Sequence, residues 1–151
     1  AGHLIKAKQP RTGIVILSMH KDRQYIAAIP KDQASGWSYL LKQSLKDTAA
    51  LMRAIEGSAA GLVVMDPAVL EGLSPRPNSR VGRLTARQSE VLGLIAQGYN
   101  NAGIAQKLVI GEKSVENLIN LIFQELGITR NEPIHPRVKA VLTYLEETRS
   151  R

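Results

Sequence analysis

Cysteine is absent from the 151 residues of the chain. That excludes a disulfide framework, thiolate-ligated zinc, iron–sulfur clusters and cysteine nucleophiles, and it fits a reducing, cytoplasmic setting. No apolar run approaches the roughly 20 residues that a membrane-spanning helix needs, so no membrane contact is expected. The opening residues AGHLIKAKQP lack the apolar core of a signal peptide. Neither GxxxxGK[ST] nor GxGxxG occurs, which removes the common phosphate-cradling loops. Histidine is scarce: His3, His20 and His135 are the three, none at i,i+4 from another ligand, so neither a metal nor a cofactor is expected. Ser18 and His20 stand close in sequence, but no third group is evident to orient a nucleophile and base, and no enzyme is expected.

What is present is enough apolar material for a core and an excess of positive charge. Hydrophobic residues make up 44% and charged residues 22% of the chain, an ordinary balance for one domain or two small ones. The net charge of +7 points toward nucleic acid or an acidic surface. The basicity is shared between the two halves. Arg76, Arg80 and Arg83 sit together in SPRPNSRVGR, residues 74–83, where two prolines, a glycine, two serines and an asparagine interrupt any periodicity. This stretch is expected to be a mobile linker, with residues 1–73 before it and residues 84–149 after it as separate regions.

The first region reads as α/β. GIVILS (13–18) is a β-branched apolar run expected to be a strand buried on both faces. Residues 21–29 read as a weak helix closed by Pro30, and WSYLLK (37–42) as a second strand. LKDTAALMRAIEG (45–57) reads as an amphipathic helix with Leu45, Ala49, Met52 and Ile55 on its buried stripe and Gly57 as its stop. GLVVM (61–65) is a third apolar run. Asp66-Pro67 fits a helix N-cap followed by proline at the first helical position. Strands alternating with helices imply a parallel sheet.

The second region reads as all-α. Thr85 is placed to cap 86–97, which ends at Gly98, and Asn101 to cap 102–108. EKSVENLINLIFQEL (112–126) is a longer helix stopped by Gly127, and a last helix starts near Pro136. The pair 102–108 and 112–126, three residues apart, has the spacing of a helix-turn-helix. Val115, Ile119, Ile122 and Leu126 make the inward stripe of the second helix. Lys113, Glu116, Asn117, Asn120 and Gln124 then face outward, with side chains suited to base edges. Patterning specifies fold class rather than function, so a helix hairpin with a solvated face fits the same residues.

The run LTARQSEVLGLIAQGYNNAGIAQKLVIGEKSVENLINLIFQELGI, residues 84–128, closely resembles the NarL/LuxR-type helix-turn-helix in one ungapped register. The resemblance implies a four-helix DNA-binding domain that regulates transcription and dimerises through its last helix. It puts Glu116, Asn117 and Asn120 at base-facing positions and Lys113 at a backbone-facing one, with Ser114 and Asn101 as backbone contacts near helix starts. TGIVILS followed by SYLLK resembles the second half of a two-component receiver, where Ser18 and Lys42 match the switch serine or threonine and the switch lysine. The fold expected is therefore a receiver-like α/β remnant followed by a LuxR-type helix-turn-helix domain. The layout is that of a response regulator acting on double-stranded DNA as a homodimer, with a sensor kinase as partner where a full receiver exists.

Three departures qualify that expectation. The acidic pair and acceptor aspartate of a receiver would fall before Ala1, so the chain is expected to be a fragment or a truncated receiver without phosphoacceptor chemistry. The strand at 13–18 would then leave an open edge for a second copy to cover. The segment 112–126 holds one lysine and three glutamates, so charge for phosphate contacts must come from Lys107, Lys113, the linker arginines, Arg130, Arg137 or Lys139. Weak non-specific binding and a modest salt dependence follow. The alternative reading is a dimerisation or interaction module whose helix-turn-helix no longer binds DNA.

Overall fold

The computed structural model describes residues 1–20 and 33–150. In chain order it contains α1 (Gly2–Lys8), β1 (Ile14–Ser18), β2 (Trp37–Leu41), α2 (Thr48–Ala59), β3 (Val64–Met65), α3 (Pro67–Glu71) and β4 (Leu73–Pro75). There follow α4 (Ala86–Ala96), α5 (Asn101–Leu108), α6 (Glu112–Glu125), α7 (Pro136–Glu146) and β5 (Thr148–Ser150). The fold class is the expected one: a parallel sheet in the first half and a four-helix unit in the second. The weak helix expected at 21–29 lies outside the described residues.

Strand β2 is central, and its five residues are all buried. β1 pairs with it in parallel, Ile14 opposite Trp37 through Ser18 opposite Leu41, and β3 pairs on its other side. Alternation along β2 divides its side chains between two faces. Leu40 packs with Ala54 and Val64 beneath α2, and Tyr39 and Leu41 join the larger core. That larger core runs without a break from Val63 and Met65 into Val91, Leu92, Ile95, Ile104, Ile122 and Val141 of the helical half.

β1 is not buried on both faces. Among the described residues it forms the edge of the sheet, its residues are half-buried, and Leu17 is exposed. An apolar run cannot tell by itself whether a second neighbour covers it. The helix expected at 45–57 is also displaced. Leu45 lies in a 3-10 turn over Lys42–Lys46, Asp47 caps α2 through the Ala50 amide, and Met52 and Ile55 are exposed. The buried stripe is Ala50, Ala54, Gly57 and Ser58. Small residues let α2 approach the sheet closely: a Cβ on Gly57 would lie 2.6 Å from Val64 Cγ2. Gly57 therefore serves contact inside the helix and does not end it.

Asp66 fulfils its expected role and a second one. One carboxylate oxygen accepts from the Ala68 amide at 2.9 Å as the cap of α3, and the other accepts from the Leu41 amide at 2.8 Å. The side chain thus ties the start of α3 to the end of β2. Helix α1 was not legible in the sequence. It buries none of its residues and leans on the sheet through His3, whose ring centroid is 5.4 Å from that of Trp37.

The stretch at 74–83, expected to be a mobile linker, makes contacts with distant parts of the chain. Leu73–Pro75 pairs antiparallel with Thr148–Ser150, and Val81–Arg83 is a 3-10 turn with Val81 buried. Arg80 donates to the Glu147 carboxylate at 2.7 and 3.0 Å and to the Leu126 carbonyl at 2.7 Å. Arg76 donates to the Glu146 carbonyl and Arg83 to Glu125. Prolines and a glycine exclude regular periodicity but not order imposed by distant partners, and these partners lie 42 to 70 residues away.

Candidate nucleic-acid interface

Thr85 and Gln88 form a reciprocal capping box at the start of α4, which fixes the direction of the first helix of the unit. Gly98 closes the next turn with φ +90°. The cap of α5 is Asn100, whose side chain accepts from the Gly103 amide at 2.8 Å. The expectation that Asn101 caps this helix is corrected: Asn101 is the first helical residue. Two adjacent asparagines offer the same chemistry, and it is Asn100 whose backbone is extended, φ −82° and ψ 176°, as a cap requires.

Helix α5 ends at Val109 in the left-handed region, φ +56°, with the Val109 amide donating back to Ala105. Three residues later α6 begins behind Gly111, which supplies no side-chain cap. Val115, Ile119, Ile122 and Phe123 are buried along α6, and Leu118 packs partly against the same core. Three to four residue steps place these on one side of a helix. The opposite side carries Lys113, Ser114, Glu116, Asn117, Asn120 and Gln124, all exposed.

The three positions singled out for base contact therefore share one open face. Lys113 reaches Glu116 at 3.4 Å. Asn120 accepts from Arg130 at 2.8 Å, and the Arg130 guanidinium lies 5.6 Å from the Phe123 ring centroid. Asn101 is half-buried beside this face and accepts from Arg137, which also donates to the Tyr99 carbonyl at 3.0 Å. Burial lowers the Arg137 pKa from its ordinary value, yet a guanidinium stays charged at neutral pH. Lys107 is exposed, its ammonium 5.9 Å from the Tyr99 ring. A cleft of about 420 Å³ opens beside α6 between Asn101, Asn120, Arg130 and Arg137.

The structure pairs several of the cations that the sequence offers for phosphate. Arg80, Arg83 and Lys139 are engaged with Glu147, Glu125 and Glu132 of the same chain. Arg83 also offsets the Glu125 charge at the C-terminal end of α6, where a carboxylate opposes the helix dipole. The sequence pattern marks Arg130 only as a source of charge. Its contact with Asn120 spans ten residues across the turn after α6, a relation that no helical spacing encodes.

At the far end of the sheet, Ser18 is opposite Leu41 in register, so Ser18 and Lys42 lie at the same C-terminal end of the parallel strands. Lys42 is exposed and opens the 3-10 turn rather than ending the strand. The Ser18 hydroxyl donates to the His20 carbonyl at 3.1 Å and accepts from the His20 amide at 3.2 Å. This is a turn built on the His20 backbone. Among the described residues no group of three or more His, Asp or Glu is placed to hold a metal ion, and no helix is long and apolar enough to cross a membrane.

Two helices joined by a three-residue turn, the second with a buried stripe and an open polar face, make this a helix-turn-helix protein. Residues 82–133 match the family described as bacterial regulatory proteins, luxR family. This domain belongs to that family. The relatives carry the names of regulators. The chain is 31% identical over 142 residues to the transcriptional regulatory protein DegU of Brevibacillus brevis, a match covering 80% of this chain and 58% of DegU. It is 33% identical over 127 residues to the transcriptional regulatory protein MctR of Rhizobium johnstonii, covering 83% and 58%. The chain thus spans under two thirds of the length of these relatives. Among solved structures it is similar to the RcsB response regulator of Salmonella typhimurium, at 26% identity over 94% of this chain and 64% of that one, with a TM-score of 0.36. An RcsB–DNA complex matches at 23% identity, 96% and 64% coverage, and a TM-score of 0.34. Whole-chain superposition on either is poor.

Proposed function

We propose that the chain is a DNA-binding transcriptional regulator of two-component response-regulator type. In this reading residues 84–149 bind duplex DNA, residues 1–73 form a receiver-like region, and residues 74–83 join the two. Helix α6 enters the major groove, as the second helix of such units does. Glu116, Asn117 and Asn120 meet base edges: asparagine can pair bidentately with adenine and glutamate can accept from cytosine N4. Lys107, Lys113, Ser114 and Asn101 contact the phosphate backbone. The single observation that carries the reading is the exposed polar face of α6 over a buried apolar stripe. Its family membership supports the same conclusion.

The protein acts in the cytoplasm, as a homodimer, and within a complete response regulator a sensor kinase acts on it through the receiver-like region. Ser18 and Lys42, at one end of the parallel strands, are the switch positions. With Arg80 and Arg83 paired to glutamates of the same chain, the salt dependence is shallow, because each phosphate neutralised contributes about 0.9 to the log–log slope.

The test is a mobility shift with genomic fragments at low salt. The wild-type chain retards a subset of fragments, and Asn117→Ala weakens that complex by about fivefold or more, the lower end of what one good base contact supplies. Absence of any retarded complex leaves the alternative, an interaction module with a degenerate helix-turn-helix.

A further inference from the structure

Asn117 and Asn120 stand one turn apart on the open face of α6 but differ in what they can offer. Among the described residues Asn117 makes no side-chain hydrogen bond, so both prongs of its carboxamide face solvent. Asn120 accepts from Arg130 Nη2 at 2.8 Å. Arginine carries donors and no acceptor, so the atom that faces it must be the amide oxygen. A free asparagine rotates its carboxamide to suit the base. Asn120 is held in one orientation by a charge-assisted bond, roughly twice as strong as a neutral one. Arg130 is itself held over the Phe123 ring of the same helix.

Resting on the reading of α6 as the groove helix, we propose that Arg130 is a positioning residue that sets sequence specificity through Asn120. With its oxygen turned to Arg130, Asn120 presents its NH₂ group to the DNA. It then favours a base edge whose polar groups are acceptors only, guanine O6 and N7 or thymine O4, over adenine, whose N7 acceptor stands beside the N6 donor. Bidentate adenine recognition needs one donor and one acceptor prong aimed at the same base, and the acceptor prong here points at Arg130. Asn117, with both prongs available, reads adenine. Two identical side chains on one helix thus read different bases, because a residue outside the helix orients one of them.

The experiment is selection from a random duplex library by the whole chain, comparing wild type with Asn120→Ala, Asn117→Ala and Arg130→Met. Methionine keeps an aliphatic stem over Phe123 and removes the donors, and a far-UV melt checks that the fold is kept at this exposed position. The motif position that loses its preference in Asn120→Ala is the one that Asn120 reads. The expected result is guanine or thymine there in the wild type, and an adenine frequency raised about fivefold in Arg130→Met with the remaining positions unchanged. A variant that weakens all sequences equally, with a salt slope smaller by about one, makes Arg130 a phosphate contact and overturns the proposal. So does adenine at that position in the wild type, or an Asn120→Ala motif identical to wild type. A wild-type chain that enriches no sequence overturns the groove-helix reading itself, whereas the other refuting outcomes leave that reading standing.

Discussion

Val109 offers a sharp test of how the turn between α5 and α6 is built. It is a β-branched residue at φ +56°, and its side chain is 88% exposed. The left-handed region costs an L-residue about 1–2 kcal/mol, because Cβ crowds the following carbonyl. Glycine escapes that cost but orders a freer chain, at about 0.5–1 kcal/mol. The side chain buries almost nothing, so its removal forfeits little packing. Val109→Gly is therefore expected to stabilise the chain by about 1 kcal/mol, which raises Tm by about 2–4 °C at this size. Val109→Asn, a residue that tolerates the same φ, should move the midpoint in the same direction. The assay is urea and thermal unfolding followed by far-UV circular dichroism, with the urea m-value checked for constancy. If both variants unfold earlier than wild type at an unchanged m-value, the turn is not strained and the reasoning fails.

Asp66→Ala removes the cap of α3 and leaves the buried Leu41 amide without its acceptor. Urea unfolding should show a loss of about 2–4 kcal/mol from the two effects together. Glu147→Ala deletes the acceptor of Arg80 and of the Val81 amide, with an expected loss of about 1–2 kcal/mol, held down because Arg80 is partly exposed. Burial raises the Glu147 pKa, but the Arg80 and Val81 bonds lower it further, and the net shift is downward. Its stabilising contribution is therefore complete above the unfolded glutamate value of about 4.3 and disappears as pH falls through the lower folded value. Acid titration of stability should be shallower in Glu147→Gln than in wild type.

The helical half was legible because local signals and tertiary demands agree there. Thr85 with Gln88, Gly98, Gly127 and Pro136 mark ends that packing also requires, and the stripe Val115, Ile119, Ile122 and Leu126 is apolar at helical spacing and buried. The outward face of α6 followed from that stripe by exclusion. The α/β half was legible as a pattern of strands and helices but not as a set of buried faces. Met52 and Ile55 are more apolar than Ala50, Gly57 and Ser58, yet the smaller residues face the sheet, since close approach to Val64 admits nothing larger.

The amino-acid sequence alone determined the alternation of strands and helices between residues 13 and 71, the helix-turn-helix and the residues on its open side, because each depends on neighbours within about four positions along the chain. Tertiary structure decided the rest: that residues 74–83 are bound down by Glu147 and the C-terminal strand, that Asn100 and not Asn101 caps α5, and that Arg130 holds Asn120. Those contacts join side chains brought together only by the packing of separate elements, and neither the propensity nor the periodicity of one segment carries information about a hydrogen-bond partner on another.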